Sequence, residues 1–276
     1  MSEEAPSRGR STGTGDSALV VEGLRKTFHR GAPTERVALD GLSLRLGRGE
    51  FAVVIGGNGA GKSTFLNALA GEIALDDGRI RLAGQDVTAL PTHRRARQIA
   101  RVFQDPMVGT AAAMTIEENL SVAERRGVAN RLVAGLNGDR RRRYRALLEP
   151  FGLGLETQLT QKVDLLSGGQ RQALSLVMAI MKAPDLLLLD EHCAALDPRT
   201  AAIVMAATVR AVRDHGLTTL MVTHNMRHAI EHGDRLLMLS AGRLVLDSAG
   251  EDKRALTVEA LVERFGVVDD RMLLVG

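Results

Sequence analysis

FAVVIGGNGAGKST, residues 51–64, is the stretch whose reading decides the fold. Phe51 to Ile55 is a continuous apolar run and reads as a buried strand. The glycines that follow let backbone N–H groups turn inward. Phe65, Leu66 and Leu69 then lie on one face of a helix. From Gly56 the spacing is G-x-x-x-x-G-K-S. Gly56, Gly57, Asn58, Gly59, Ala60 and Gly61 therefore form a loop that can wrap phosphate oxygens, and the helix N-terminus adds positive potential. Lys62 can reach the β- and γ-phosphates of a nucleotide, the Ser63 hydroxyl can ligate Mg2+, and Thr64 closes the motif. A glycine-rich turn alone is weak evidence. The full pattern between a strand and a helix is specific.

A loop of this kind needs an acid at the end of a neighbouring buried strand to hold Mg2+. LLLLDEHC, residues 186–193, supplies one, because its apolar run ends on Asp190 and Glu191. Adjacent strand residues point to opposite faces, so the two acids need not share a task. Asp190 fits the metal position, and Glu191 would face the γ-phosphate and the attacking water. LLSGGQRQA, residues 165–173, opens a long helix with Ser167, Gly168 and Gly169, a second phosphate-binding cap. A γ-phosphate held by the loop of one copy could be clamped by this cap from another copy.

The totals set bounds. The chain has 276 residues, 45% hydrophobic and 25% charged, enough for one large domain or two small ones. Cys193 is the single cysteine, which excludes an intrachain disulfide and fits a reducing compartment. It is read as a small buried residue rather than a reactive thiol. No apolar run approaches the ~18 residues of a spanning helix. MSEEAPSRGRSTGTGDSA has no apolar core of a signal peptide, and residues 1–17 read as a disordered tail. The protein is expected in the cytoplasm, with any membrane attachment made through a partner. Net charge is +3, and arginines cluster in HRRARQIAR (93–101) and RRRR (140–143). Aromatic residues are only 3% of the chain, so stacking platforms do not interleave with these runs. The runs are read as solvated helix faces, and no nucleic-acid partner is expected.

Short β-rich runs, ALVVEGL and LSLRL, precede the glycine loop, and GRIRLAG follows its helix. From about 91 to 164 the pattern turns helical, with HRRARQIA, TIEENLSVAERR and RYRALLEPFGL, and residues 127–139 read as a loop. Helix 168–182, strand 186–190, helix 199–215, strand 218–223 and helix 226–232 then alternate, and RLLMLSAGRLVLD reads as a hairpin. Such alternation implies an α/β fold, a parallel sheet with helices on both faces and a helical subdomain inserted into it.

These motifs together resemble the nucleotide-binding subunit of an ABC transporter over residues 18–250. The resemblance rests on Walker A (56–64), RVFQDP with Gln104, the signature LSGGQ (166–170), Walker B LLLLDE (186–191), AALD (194–197) and MVTHN with His224, all in family order. It implies a RecA-like parallel-sheet P-loop core, an N-terminal antiparallel β subdomain, the helical insert and a C-terminal helical extension over 251–276. It also implies ATP and Mg2+ as ligands and a homodimer closed around two ATP molecules. Gln104 would contact Mg2+ and the attacking water. Gln170 belongs to the signature, Asp197 would touch the partner's site, and His224 would bond the γ-phosphate. Glu191 would act as general base, with Lys62 stabilising transferring charge. Where the family stacks a tyrosine on adenine, Phe28 in RKTFHRG stands here and keeps the π-face. EHCAALD is an uncommon variant of its segment.

A finer similarity, in VFQDPMVGTAAAMTIEENL and TTLMVTHNMRHAI, is to bacterial importer ATPases that serve permeases of the branched-chain amino acid type. These are often labelled tryptophan or tyrosine uptake systems. An importer subunit at the cytoplasmic face of the cell membrane is therefore expected, with a permease as direct partner and a solute-binding protein as indirect one. The alternatives are an exporter subunit, or a soluble ABC-type ATPase acting on ribosomes or DNA. The transported solute is not legible, since the ATPase does not touch it.

Overall fold

The computed structural model describes residues 17–127 and 137–273. All of the tail expected over 1–17 except Ser17, which opens a strand, and most of the loop expected over 127–139 lie outside the described residues. The chain opens with β1 (Ser17–Phe28) and β2 (Arg36–Gly47), then β3 (Phe51–Gly56), α1 (Lys62–Ala70), β4 (Asp77–Leu82) and β5 (Gln85–Asp86). A single helical turn, α2 (Thr92–Arg95), leads to β6 (Ile99–Val102), α3 (Ile116–Glu124) and α4 (Gly138–Leu148). Alternation resumes with α5 (Gly168–Ile180), β7 (Leu186–Asp190), α6 (Pro198–Asp214), β8 (Thr219–Val222) and α7 (Met226–Glu231). The chain ends with β9 (Arg235–Ser240), β10 (Arg243–Ala249), α8 (Gly250–Arg254) and α9 (Val258–Leu273).

Among the described residues the strands form two sheets, ordered β2-β1-β4-β5 and β10-β9-β3-β8-β7-β6. The first is antiparallel throughout. In the second, β9, β3, β8, β7 and β6 run parallel, and β10 closes the edge as the expected hairpin. The central strands are apolar from end to end because both faces are covered. Val53, Ile55, Leu187 and Leu189 join one core with Tyr144, Leu174 and Val204 of the helices. Ala52, Val54, Leu186 and Leu188 join the other with Phe65, Leu66 and Leu69 of α1 and with Leu19 and Leu39 of the antiparallel sheet. One face of the central sheet is thus covered by helices, and the other by α1 together with a second sheet. Each fully buried leucine of β7 contributes roughly 2–3 kcal/mol.

Two expectations are corrected here. HRRARQIA is helical only over its first three residues, His93–Arg95, and its last two, Ile99 and Ala100, open β6, which pairs Ile99–Val102 with Leu186–Leu189. That pairing removes the strand from the helical region and adds it to the core sheet. The arginine runs are not simply solvated faces either. Arg95 is buried and donates to the carbonyls of Ala68, Leu69, Thr88 and Leu90 at 2.6–2.9 Å, closing the C-terminal end of α1. Arg141 holds Glu117 through two hydrogen bonds of 2.6 and 2.9 Å. Arg140 and Arg143 pair with Glu124, and Arg142 pairs with Asp139.

The turn from β3 into α1 is wedged under β2 and the β9–β10 turn. Gly242 N donates to Ala60 O and Asp40 N to Gly242 O, each at 3.0 Å. Gly61 caps α1 with φ 102°, and a Cβ there would stand 2.4 Å from Ala38 O. Gly57 has nothing within 4 Å of its corresponding position. Gly61→Ala is therefore expected to lower the unfolding free energy by ~2 kcal/mol or more. Gly57→Ala is expected to stay within about 0.5 kcal/mol of the parent in urea titrations without nucleotide.

Candidate active site

The parallel strands end at one rim of the sheet, the place where open α/β sheets bind ligands. Gly56–Thr64 leave β3, His224 follows β8, Asp190 ends β7, and Gln104 follows β6. Strand β8 lies between β3 and β7. The acid therefore stands one strand farther from the loop than a nearest-neighbour arrangement, and β8 delivers Thr223 and His224 into the interval.

Gly57, Asn58 and Gly59 are exposed, Ala60 and Gly61 are buried beneath them, and Ser63 and Thr64 open α1 at the rim. Lys62 Nζ donates to Gly56 O at 2.7 Å and Gly57 O at 3.0 Å, so the ammonium folds along the loop it serves. Burial holds its pKa below the usual lysine range, against the pull of Glu191 and Asp190. Phe28 pairs across the sheet with Arg36, whose guanidinium donates to Gly59 O at 3.0 Å. Phe28 thus sits at the end of the antiparallel sheet nearest the loop, half-buried under the Lys26 ammonium at 5.4 Å.

Asp190 and Glu191 do part company. Asp190 shares the strand face of Leu186 and Leu188, turned toward α1, and its Oδ2 accepts from Arg101 at 2.6 Å. Glu191 leaves the strand with φ 46°, a left-handed conformation uncommon for residues with a Cβ and shared by His29, Ala83, Ala183 and Ala241. Its amide donates to Val222 O at 3.0 Å, and its Oε2 lies 3.1 Å from Nδ1 of the exposed His224. Glu191 and His224 can therefore act as a carboxylate–imidazole pair facing open solvent. Gln104 is exposed at the rim, one residue beyond Phe103.

The signature segment is built separately from the loop. Ser167 caps α5 by accepting from Gln170 N at 3.3 Å, while Gln170 Oε1 accepts from Ser167 N at 3.0 Å. Gln170 also donates to Leu153 O at 3.0 Å. Gly169 lies so close to α6 that a Cβ would stand 2.0 Å from Thr200 Cγ2. Asp197 caps α6 through the Thr200 amide at 3.1 Å, and hydrogen bonding to Thr200 holds its carboxyl below the ordinary range. The signature and AALD segments are thus one packed unit. Ser167, Gly168 and Asp197 are exposed on it.

An α/β sheet with this rim, a lysine-bearing phosphate loop and a carboxylate–histidine pair define an ATP-binding and ATP-hydrolysing cassette. A family model described as ABC transporter matches residues 39–194. A tyrosine transport ATP-binding protein of Clostridioides difficile is 44% identical over 247 residues, covering 90% of this chain and 98% of that protein. A phosphonates import ATP-binding protein of Alcaligenes faecalis is 34% identical over 263 residues, covering 92% of each. The dimeric post-hydrolysis state of an ATP-binding cassette with ADP and Pi superposes with a TM-score of 0.71, at 25% identity over 84% of this chain and 98% of that one. The chain belongs to the ABC transporter family.

Three residues around the site escaped the sequence reading. Arg36 lay in no motif. Arg101 was hidden at the end of a basic run, and IARV carries no clean alternation to mark a strand, since Ile99 and Ala100 are both apolar and buried. His192 is buried, with Nε2 3.1 Å from the Thr208 hydroxyl, which itself donates to Val204 O at 2.8 Å. The imidazole is therefore the donor to Thr208. Burial, with the nearby His228 and His232, pushes its pKa down to about 4. Cys193 is buried as expected, and burial pushes its thiol up to about 12.

The sign of the His192 effect follows from linkage. A histidine depressed in the folded state is protonated first in the unfolded chain, so stability is full above the unfolded pKa and falls as pH drops toward 4. About 2 kcal/mol is expected to be lost between pH ~7 and ~5. Chemical denaturation of His192→Gln is expected to show a shallower fall across that window.

Proposed function

We propose that the chain is the ATP-hydrolysing subunit of a bacterial importer, dimerising around two ATP molecules and driving a separate permease. The observation that carries this reading is the division of the site. Gly57–Gly59 of the phosphate loop and Ser167 and Gly168 of the cap are exposed, and they belong to different elements of one chain. Two copies facing each other would place each loop against the other's cap, and each Asp197 beside the other copy's site. The import and transport names of the relatives support the direction of transport.

Ser63, Gln104 and Asp190 offer a hydroxyl, an amide oxygen and a carboxylate, the hard oxygen donors that suit Mg2+ beside substrate phosphates. Mg2+ bound there would neutralise charge on the β- and γ-phosphates. The Glu191 carboxylate takes a proton from water, and the water oxygen bonds to the γ-phosphorus. The bond from that phosphorus to the β–γ bridging oxygen breaks, leaving ADP and inorganic phosphate. His224 orients Glu191 and the γ-phosphate, Lys62 and the signature N–H groups hold the transferring charge, and Phe28 stacks on adenine. Glu191→Gln is expected to retain ATP binding, lower turnover by ~10²–10⁴, and accumulate an ATP-bound dimer in size-exclusion runs. Unchanged turnover would remove the general-base assignment.

Among the described residues no helix is long and apolar enough to cross a membrane. Attachment to the cytoplasmic face of the membrane would then come through the permease, with a solute-binding protein acting on that permease from outside. Met107 and Val108, 38% and 65% exposed, offer an apolar patch beside Gln104 between the core and the helical region. A short permease helix suits such a groove. The double variant Met107→Glu, Val108→Asp is expected to leave membrane fractions while keeping basal ATPase. Retention on membranes would refute this docking surface.

A further inference from the structure

We propose that Arg101 is a positioning residue for magnesium-dependent nucleotide binding, holding Asp190 by one oxygen and tying together the three elements that carry Ser63, Asp190 and Gln104. The inference rests on the metal-ligand reading above and gives a role to Arg101, which opens the RVFQDP segment but was assigned none there.

The placement follows from strand geometry. On β6, Ala100 and Val102 enter the core formed with the helices, whereas Ile99 enters the core shared with α1. Arg101 shares the face of Ile99, since side chains alternate along a strand. It stands opposite Leu188, so Asp190, two residues farther along β7, lies diagonally across on the same face. There the guanidinium fork divides. One terminal nitrogen donates to Asp190 Oδ2 at 2.6 Å. The other donates to Asn67 Oδ1 at 2.8 Å and Glu72 Oε2 at 2.9 Å. Asn67 is one turn along α1 from Ser63, on the same helix face. The guanidinium also lies 4.8 Å from the centroid of the Phe103 ring, the residue before Gln104. Phe103 is anchored in turn, because its carbonyl accepts from Gln172 at 3.1 Å.

One cation therefore touches β7, α1 and the segment leading to Gln104. Its side chain is 10% exposed, so salt screens these contacts weakly. A carboxylate that binds a metal through one oxygen needs the other one fixed, and loss of such an outer partner typically costs ~10–100-fold in metal affinity. Removing the cation would also raise the local negative charge, which by itself favours a dication. Loss of orientation outweighs this, because Glu72 and Asp190 would then repel each other across the vacated space, turning Asp190 from its bound direction.

The test is equilibrium binding of a fluorescent ATP analogue to the full chain, at graded Mg2+ and in EDTA, for the parent, Arg101→Met and Arg101→Lys. Arg101→Met is expected to raise the Mg2+ midpoint ~10–100-fold while leaving affinity in EDTA within about twofold. Arg101→Lys keeps one N–H to Asp190 and is expected to restore part of the shift. Asn67→Ala, which loosens the guanidinium from α1 without touching Asp190, gives a smaller shift in the same direction and serves if Arg101→Met does not fold. An unshifted midpoint overturns the proposal, as does equal weakening with and without Mg2+, which marks a purely structural role. A parent chain whose binding ignores Mg2+ instead overturns the metal-ligand reading beneath it.

Discussion

Burial of the central sheet on both faces is the constraint on which the rest of the molecule depends. Strands covered by α1 and the antiparallel sheet on one side and by helices on the other can carry almost no polar side chains. Function is therefore displaced to strand ends, and parallel pairing brings those ends to a single rim. The transition is abrupt along β7, where Leu186–Leu189 are fully buried and the next residue is an acid. Asp190 tolerates its half-buried place because Arg101 meets it there.

The same constraint explains the arginines. A guanidinium taken out of water needs partners, and the chain supplies carbonyls and carboxylates to the terminal nitrogens of Arg95, Arg101 and Arg141. Arg95 closes a helix end, Arg101 joins three elements, and Arg141 locks Glu117 between α3 and α4. Much of the positive charge thus braces the fold, so its abundance says little about an anionic partner.

The signature cap has its own logic. Its serine and glutamine satisfy each other, and its buried glycine admits α6 at a distance no side chain would allow. What remains is an exposed helix N-terminus with partial positive charge and no acidic residue in its own first turn. On the reading proposed above, a second copy brings the γ-phosphate to it, so hydrolysis and association would be one event.

Local chemistry in the sequence determined a large part of this. Glycine spacing after an apolar run specified the phosphate loop, since only those residues in that order can turn backbone N–H groups inward before a helix. The strands Leu186–Asp190 and Thr219–Val222 and the helix from Gly168 were legible because their apolar periods are strong. The candidate site residues were legible as motifs, each carried within a few consecutive positions. What only the tertiary structure decided is whatever depends on partners distant in the chain. Ile99–Val102 became a strand because β7 was there to pair with it, overriding a helical local pattern. β8 was inserted between β3 and β7, which placed His224 beside Glu191. Arg101 became the brace of Asp190 across 89 positions of sequence, because two short strands lie in register and show the same face to α1.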